Sequence, residues 1–443
     1  MRETMNQSFR SIMISILTLF LPVLALTQAL PKTYQFVNGS WYDGKGFKKR
    51  TFYVVNGILM SKKPSKIDET IDLTSQFVIP PFADAHTHNL DGTFNLEQTI
   101  NNYLKEGTFY VQVLGNYAEG AKAAKPFLNK PASLDVIYAN GMLTCTYGHP
   151  FMVYEPLAMG IYAPSEGYRR ITEVKKSRIA ENGAYWFFDS KTDVDAKWQK
   201  YLATKPDIVK IGMLDAENYQ KYAAEGNTTD KGLSPEVAEY VVRKAHQAGL
   251  RVYAHIETAN DFRLGLTIGV DGFAHAPFSG WEAKENLKDD LTPADLKLAA
   301  KKGVIVVPTA KRGELSAFVS FEDGKMIFDE ERRAKIIARH RKLFREMARR
   351  GVKIAFGYDN FGQTVLPEIL YFGENNIFDN LTLLKIAVDQ TPTAIFPNRK
   401  IGKLKQGYEA SFITLEENPL KNFAALKNIK LRFKQGNFIK IHD

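Results

Sequence analysis

Six side chains of types that hold divalent cations or move protons stand at the ends of short apolar runs in this 443-residue sequence. The run Val78-Ile79-Pro80-Pro81-Phe82-Ala83-Asp84-Ala85-His86-Thr87-His88 ends in two histidines two residues apart. Side chains alternate faces along a strand, so His86 and His88 share a face and can offer two imidazoles to one ion. A His-x-His tripeptide alone is a weak signal. Two more imidazoles close apolar runs: His255 ends Arg251-Val252-Tyr253-Ala254-His255, and His275 ends Gly272-Phe273-Ala274-His275. Lys210 ends Pro206-Asp207-Ile208-Val209-Lys210. An ammonium beside two cations is disfavoured, whereas the carbamate that lysine forms with CO₂ is an anionic oxygen ligand able to bridge metals. The competing reading pairs Lys210 with Asp207 or Asp215. Asp359 follows Lys353-Ile354-Ala355-Phe356-Gly357-Tyr358, where a carboxylate can ligate a metal and exchange a proton with water; its alternative is an N-cap or turn residue. His246 and His340 lie in helical stretches and His442 at the chain end, so these three read as structural or solvent-facing.

Elements that end in such residues must converge for any of this chemistry to occur. Eight candidate strands alternate with amphipathic helical stretches: 77–85, 108–114, 135–143, 208–212, 251–255, 272–275, 304–308 and 353–357. A doubly wound open sheet gives the same alternation. The polar residues gather at the C-terminal ends, where barrel enzymes place their chemistry, and this favours a (β/α)8 TIM barrel. Short strands with Asn-Gly and Asp-Gly turns at residues 34–60 and again after residue 407 predict a small β-sandwich domain formed by both termini. The expected division is a signal peptide at 1–29, small-domain segments at 30–76 and 399–443, and the barrel at 77–398. The connection 150–205 is long and rich in aromatics; it reads as either a cover for the active site or a packed helical insertion. Residues 330–350 are basic, but Ile336, Ile337, Leu343 and Met347 recur at helical spacing, as in a solvated barrel helix.

With 44% hydrophobic and 24% charged residues, the chain supports a large core and is neither fibrous nor wholly disordered. The net charge of +10 comes from dispersed residues without a recognition motif, so no nucleic-acid partner is expected. One cysteine, Cys145, rules out an intramolecular disulfide and a Cys-rich zinc site. Arg2 and Arg10, then an apolar run and Thr27-Gln28-Ala29, read as a secretory signal, giving an exported, periplasmic or secreted protein with no stable membrane insertion after cleavage. An uncleaved anchor is the other reading. Homo-oligomerisation stays open.

In order along the chain, His-x-His after the first strand, Lys after the fourth, His after the fifth and sixth, and Asp after the eighth resemble the ligand set of the amidohydrolase superfamily. Asp207-Ile208-Val209-Lys210-Ile211, Thr146-Tyr147-Gly148-His149-Pro150 and Thr364-Val365-Leu366-Pro367-Glu368 are similar to its imidazolonepropionase-like branch, which includes Xaa-Pro dipeptidases. The segment Gly407-Tyr408-Glu409-Ala410-Ser411 departs from the family's usual return into the small domain, and Pro80-Pro81-Phe82-Ala83-Asp84 from its usual approach to His-x-His. The resemblance implies two divalent ions, with zinc as the default for imidazole-rich sites: His86, His88 and Asp359 hold one, His255 and His275 the other, and carboxylated Lys210 bridges them. It further implies hydrolysis of an amide-like C–N bond of a small-molecule substrate by hydroxide shared between the metals, with Asp359 and His149 catalytic and His149 and Tyr147 at the substrate. Arg312, with Lys311, either grips a substrate carboxylate or decorates the rim. The alternatives are a one-metal deaminase or lactone or ester hydrolase of the same superfamily, and a secreted binding protein without turnover.

Overall fold

The computed structural model describes residues 32–277, 290–322 and 325–442; the expected signal peptide lies outside the described residues. The chain opens with β1 (Tyr34–Tyr42), β2 (Phe47–Val55), β3 (Ile58–Met60), β4 (Glu69–Asp72) and β5 (Phe77–Ile79). It then alternates strands with helices through β6 (Phe82–Thr87), β7 (Thr108–Val113), β8 (Asp135–Tyr138), β9 (Met142–Thr144), β10 (Tyr185–Phe187), β11 (Val209–Met213), β12 (Val252–Ile256), β13 (Gly272–Phe273) and β14 (Ile305–Val306). A hairpin of β15 (Val319–Glu322) and β16 (Lys325–Phe328) precedes β17 (Lys353–Ile354), and the chain returns through β18 (Phe412–Leu415), β19 (Ile429–Lys434) and β20 (Asn437–Phe438).

Strands from both ends of the chain form one eight-stranded sheet, ordered β20-β19-β18-β5-β1-β2-β3 with β4 beside β1. Three strand spacings, about 14 Å on a flat sheet, separate β1 from β19, yet the rings of Phe36 and Phe433 lie 5.1 Å apart. The sheet therefore curls over an aromatic core that also takes in Trp41 and Phe412.

Besides the β15-β16 hairpin, the other strands form two parallel sheets, β6-β7-β8 and β10-β9-β11-β12-β13-β14-β17. They meet at both edges. Ala85 N donates to Phe356 O at 2.8 Å and Asp359 N to His86 O at 2.9 Å, while Asp207 N donates to Tyr138 O at 2.8 Å. The strands are buried on both faces, as parallel strands covered by helices must be.

Two of the expected strands are each broken in two, for local reasons. Pro80 and Pro81 offer no amide hydrogens, so the run expected at 77–85 leaves the terminal sheet after Ile79 and enters the parallel one at Phe82. The run at 135–143 breaks at Asn140 and Gly141, both with positive φ (54° and 95°), into β8 and β9. The long connection contributes an unforeseen parallel strand, β10 against β9, and a core of its own around Phe151, Tyr154, Tyr185 and Phe187. The basic stretch is the helix Glu330–Arg349, which turns Ile336, His340, Phe344 and Met347 inward. His340 is thus a core residue, and solvation is not its role.

Candidate metal centre

Five parallel strands, β6, β11, β12, β13 and β17, carry or lead into the six expected ligands. In β6 the two-residue period carries Asp84, His86 and on to His88 along one face. His86 Nδ1 donates to Ala274 O at 2.8 Å, and His88 Nδ1 lies 3.1 Å from Gly115 O. A carbonyl only accepts, so each Nδ1 carries the hydrogen and each Nε2 is left with a lone pair. Both lone pairs face one carboxylate: Asp359 Oδ1 is 2.9 Å from His88 Nε2 and 3.4 Å from His86 Nε2. His86 Nε2 is buried with no hydrogen-bond partner. Lone pairs packed against an anion need a positive charge among them, which a proton or a divalent cation would supply.

His275, just beyond β13, joins the group from across the site. Its Nδ1 lies 2.8 Å from Thr309 Oγ1, its Nε2 2.9 Å from His255 Nδ1 and 3.9 Å from Asp359 Oδ2. Ligand atoms of His86, His275 and Asp359 all fall within 4.8 Å of one another. Burial holds the His86 and His255 imidazoles well below their ordinary value and His275 down to about 3, with the Asp359 carboxylate opposing and the Lys210 charge adding to the effect. Burial works against the Asp359 carboxylate, yet positive charge at the ring positions of His86, His88 and His275 that face it, where a cation would sit, holds it well below the usual carboxylate range. Neutral imidazoles around an ionised carboxylate are the forms that bind metal.

Lys210 lies on β11 with its side chain 1% exposed. Burial pulls its ammonium down to about 7, with Asp359 opposing. Its charge acts on His86, His255 and His275, which places it beside the cluster. Asp207 is not its partner, since that carboxylate takes the amide of Tyr138; nor is Asp215, which takes Asn218 and Tyr222. Gly212, two residues on along the same face and in register with His255, has no room for a larger residue, since a Cβ there would fall 2.8 Å from Met142 Cε. At pH 7 about half of such an amine is in the unprotonated, nucleophilic form.

Space around the ligands is made by glycine. A Cβ on Gly115 would fall 2.5 Å from His88 Cε1, and one on Gly357 would fall 2.4 Å from His86 N, so any larger residue would displace a ligand.

The remaining expected site residues are placed less uniformly. His149 stacks its ring 4.4 Å from that of His255, and burial, with the Lys210 charge, takes its imidazole down to about 4. Tyr147 is two residues away, but its hydroxyl accepts from Arg178 Nη2 at 3.2 Å, and the Lys175 ammonium lies 4.9 Å from its ring centre. Arg312 is exposed and donates to Asn360 Oδ1 at 3.4 Å, next to Asp359. Sequence reasoning overlooked Thr309, Tyr154, whose hydroxyl is 3.2 Å from His88 Nδ1, and the carbonyls of Ala274 and Gly115. No motif marks backbone carbonyls. Gly115 directly after the run 108–114 was the one available clue.

The amidohydrolase family pattern matches residues 77–439. Ochratoxinase of Aspergillus niger is 26% identical over 201 residues, 44% of this chain and 39% of that enzyme, so the matched part spans well under half the relative's length. Among solved structures, a Xaa-Pro dipeptidase with bound methionine superposes with a TM-score of 0.66 at 20% identity, covering 92% of this chain and 100% of the other. The structure of A. niger ochratoxinase gives 0.67 at 17% identity over 92% and 95%. At these identities the superpositions speak for the fold. The family match takes in the six converging residues together with the returning terminal strands, and the chain is a member of the amidohydrolase family.

Proposed function

We propose that this chain is an exported, metal-dependent amidohydrolase that cleaves an amide-like C–N bond in a small molecule, with a dipeptide or an N-acyl amino acid as the substrate class. The two parallel sheets, joined at both edges, are read as a (β/α)8 barrel, and the curled terminal sheet as the small β-sandwich domain at its side. The observation that carries the proposal is the set of imidazole lone pairs of His86 and His88 converging on the Asp359 carboxylate, with His275 inside the same cluster.

In this reading His86, His88, His255, His275 and Asp359, together with carboxylated Lys210, would hold two divalent ions, zinc by ligand type. Bound there, the ions would polarise the scissile carbonyl and make water acidic enough to ionise near neutral pH. Asp359 accepts the proton released by the attacking water and returns it to the leaving nitrogen. His149, neutral and beside His255, donates a hydrogen bond to the carbonyl oxygen as charge develops on it. The names of the relatives, ochratoxinase and Xaa-Pro dipeptidase, support an amide substrate over a deamination or a lactone. Among the described residues no helix is long and apolar enough to cross a membrane.

Metal analysis of the purified protein, combined with turnover of a pooled dipeptide and N-acyl amino acid library, tests the proposal, with chelator-treated protein as control. Two ions per chain and chelator-sensitive amide hydrolysis are expected. One ion with deaminase or esterase turnover supports the mononuclear reading. Metal-replete protein inert across the panel overturns the enzyme reading.

A further inference from the structure

Glu368 is wholly buried, and both its carboxylate oxygens are taken by backbone amides: Ala310 N donates to Oε1 at 2.8 Å and Lys311 N to Oε2 at 2.7 Å. These are the first amides of the helix Ala310–Phe318, and the two carboxyl oxygens satisfy them, although burial pushes the Glu368 carboxyl up to about 8 against their pull. The nearest side-chain cation does not compete, because Lys311 Nζ is spent on Glu314 at 2.9 Å. Immediately before the helix stands Thr309, 1% exposed, with φ at +47°. A β-branched residue in the left-handed region relaxes unless the chain on either side of it is held. On one side Val307 N is bound to Phe273 O at 2.9 Å. Glu368 holds the other. In that conformation Thr309 puts Oγ1 2.8 Å from His275 Nδ1; with the hydroxyl accepting there, Nδ1 carries the hydrogen and Nε2, 2.9 Å from His255 Nδ1 and 3.9 Å from Asp359 Oδ2, turns its lone pair towards them.

We propose that Glu368 is a positioning residue of the metal centre: by fixing the amides of Ala310 and Lys311 it locks Thr309 in its left-handed conformation, and Thr309 in turn sets the orientation and tautomer of His275. Glu368 lies in the helix Leu366–Glu374, so the element that follows Asp359 sets a ligand carried by the β13 strand. This inference rests on the assignment of His275 as a ligand under the function proposed above.

The test compares apparent Zn²⁺ dissociation constants, by competition with a chromophoric chelator, for the wild type, Glu368→Gln, Thr309→Val, Thr309→Ser and the Glu368→Gln/Thr309→Val double variant. Gln keeps the shape but turns an amide donor towards one of the two backbone amides. Affinity is expected to fall about 10-fold to 100-fold in Glu368→Gln and in Thr309→Val, and to stay near wild type in Thr309→Ser. Because both act along one path, the double variant should lose little more than either single one. Lys434→Met, a destabilising change at the opposite end of β8, should leave affinity unaltered and so separates a specific effect from lost stability. In metal-free protein labelled with ¹⁵N-histidine, His275 should be the Nδ1–H tautomer in the wild type and a mixture in Glu368→Gln. If Glu368→Gln does not fold, Glu368→Asp, shorter by one methylene with the charge kept, is read by the same criteria. Unchanged affinity and tautomer in the Glu368 variant overturn the inference, as does full additivity in the double variant. Wild-type protein that binds no Zn²⁺ overturns the metal reading instead, and the tautomer measurement then still decides the role of Glu368.

Discussion

His88 Nε2 and Asp359 Oδ1 stand 2.9 Å apart, joining the end of the first parallel strand to the loop after the last. The two residues are 271 positions apart in sequence, and nothing local relates them. The edge hydrogen bonds from Ala85 N to Phe356 O and from Asp359 N to His86 O bring them together, with Asn89 bound to Gly362 N and Gln363 O just beyond.

Asp359→Asn keeps the side-chain volume and removes both the negative charge and the proton acceptor. A loss of at least about 10³-fold in kcat/KM is expected, because one general base accounts for 10² to 10⁴ and ligation is weakened as well. Steady-state kinetics with metal analysis of the same sample checks this. Retention of more than a tenth of the activity at full metal content would remove Asp359 from the mechanism.

Lys210→Met should be inactive yet more stable as metal-free protein. The folded lysine, down to about 7, binds fewer protons than the unfolded one between pH 7 and 10.5, so its presence destabilises the fold most at the acid end of that window. The gain from an apolar replacement at pH 7 is bounded at about 4 kcal/mol. Denaturant melts of both metal-free proteins measure it. In the metal-loaded wild type, ¹³C-bicarbonate should give a carbamate resonance that Lys210→Met lacks; its absence from the wild type would exclude the bridging role.

His340 predicts an acid sensitivity unrelated to the site. Burial holds its imidazole down to about 3, with the Arg339 charge adding to the effect. The unfolded state therefore binds more protons from pH 6.5 down to 3, and stability falls across that window as pH falls. By pH 5 the loss from this residue reaches about 2 kcal/mol. In His340→Gln the difference in unfolding free energy between pH 7 and pH 5 should shrink by that amount; an unchanged slope would exonerate the residue.

Lys434 is fully buried where the terminal sheet meets β8, donating to Lys130 O, Ser133 O and Asp135 Oδ1 at 2.8, 2.6 and 2.7 Å. Arg399 pairs the other oxygen of Asp135 at 2.8 Å. Lys434→Met strands two carbonyls and half of a buried carboxylate, and should cost about 3–5 kcal/mol. Since Asp135 opens its strand and the site lies beyond the strand ends, kcat/KM per folded molecule should not change. Thermal melts and kinetics on the same preparation separate the two outcomes.

The family resemblance and the ordered ligand types were legible because each functional residue sits where an apolar run stops, a pattern that residue types and period two reveal. The terminal strands were legible from their turn dipeptides. Breaks were not: the split at Pro80-Pro81 follows from missing amide hydrogens, whose effect depends on which sheet lies alongside. Likewise β10 emerges from a connection whose short aromatic run Tyr185–Phe187 becomes a strand only because β9 offers it an edge.

Types and spacing alone therefore determined which atoms were available: five imidazole or carboxylate ligands, a lysine flanked by aliphatics, and strands to carry them. Tertiary structure decided their protonation and direction. Imidazole tautomers depend on the carbonyls of Ala274 and Gly115 and the hydroxyl of Thr309, and the reactivity of Lys210 on being desolvated beside Asp359. Hydrogen-bond partners and burial are properties of surroundings assembled from distant segments, and a linear sequence contains neither until the sheets close.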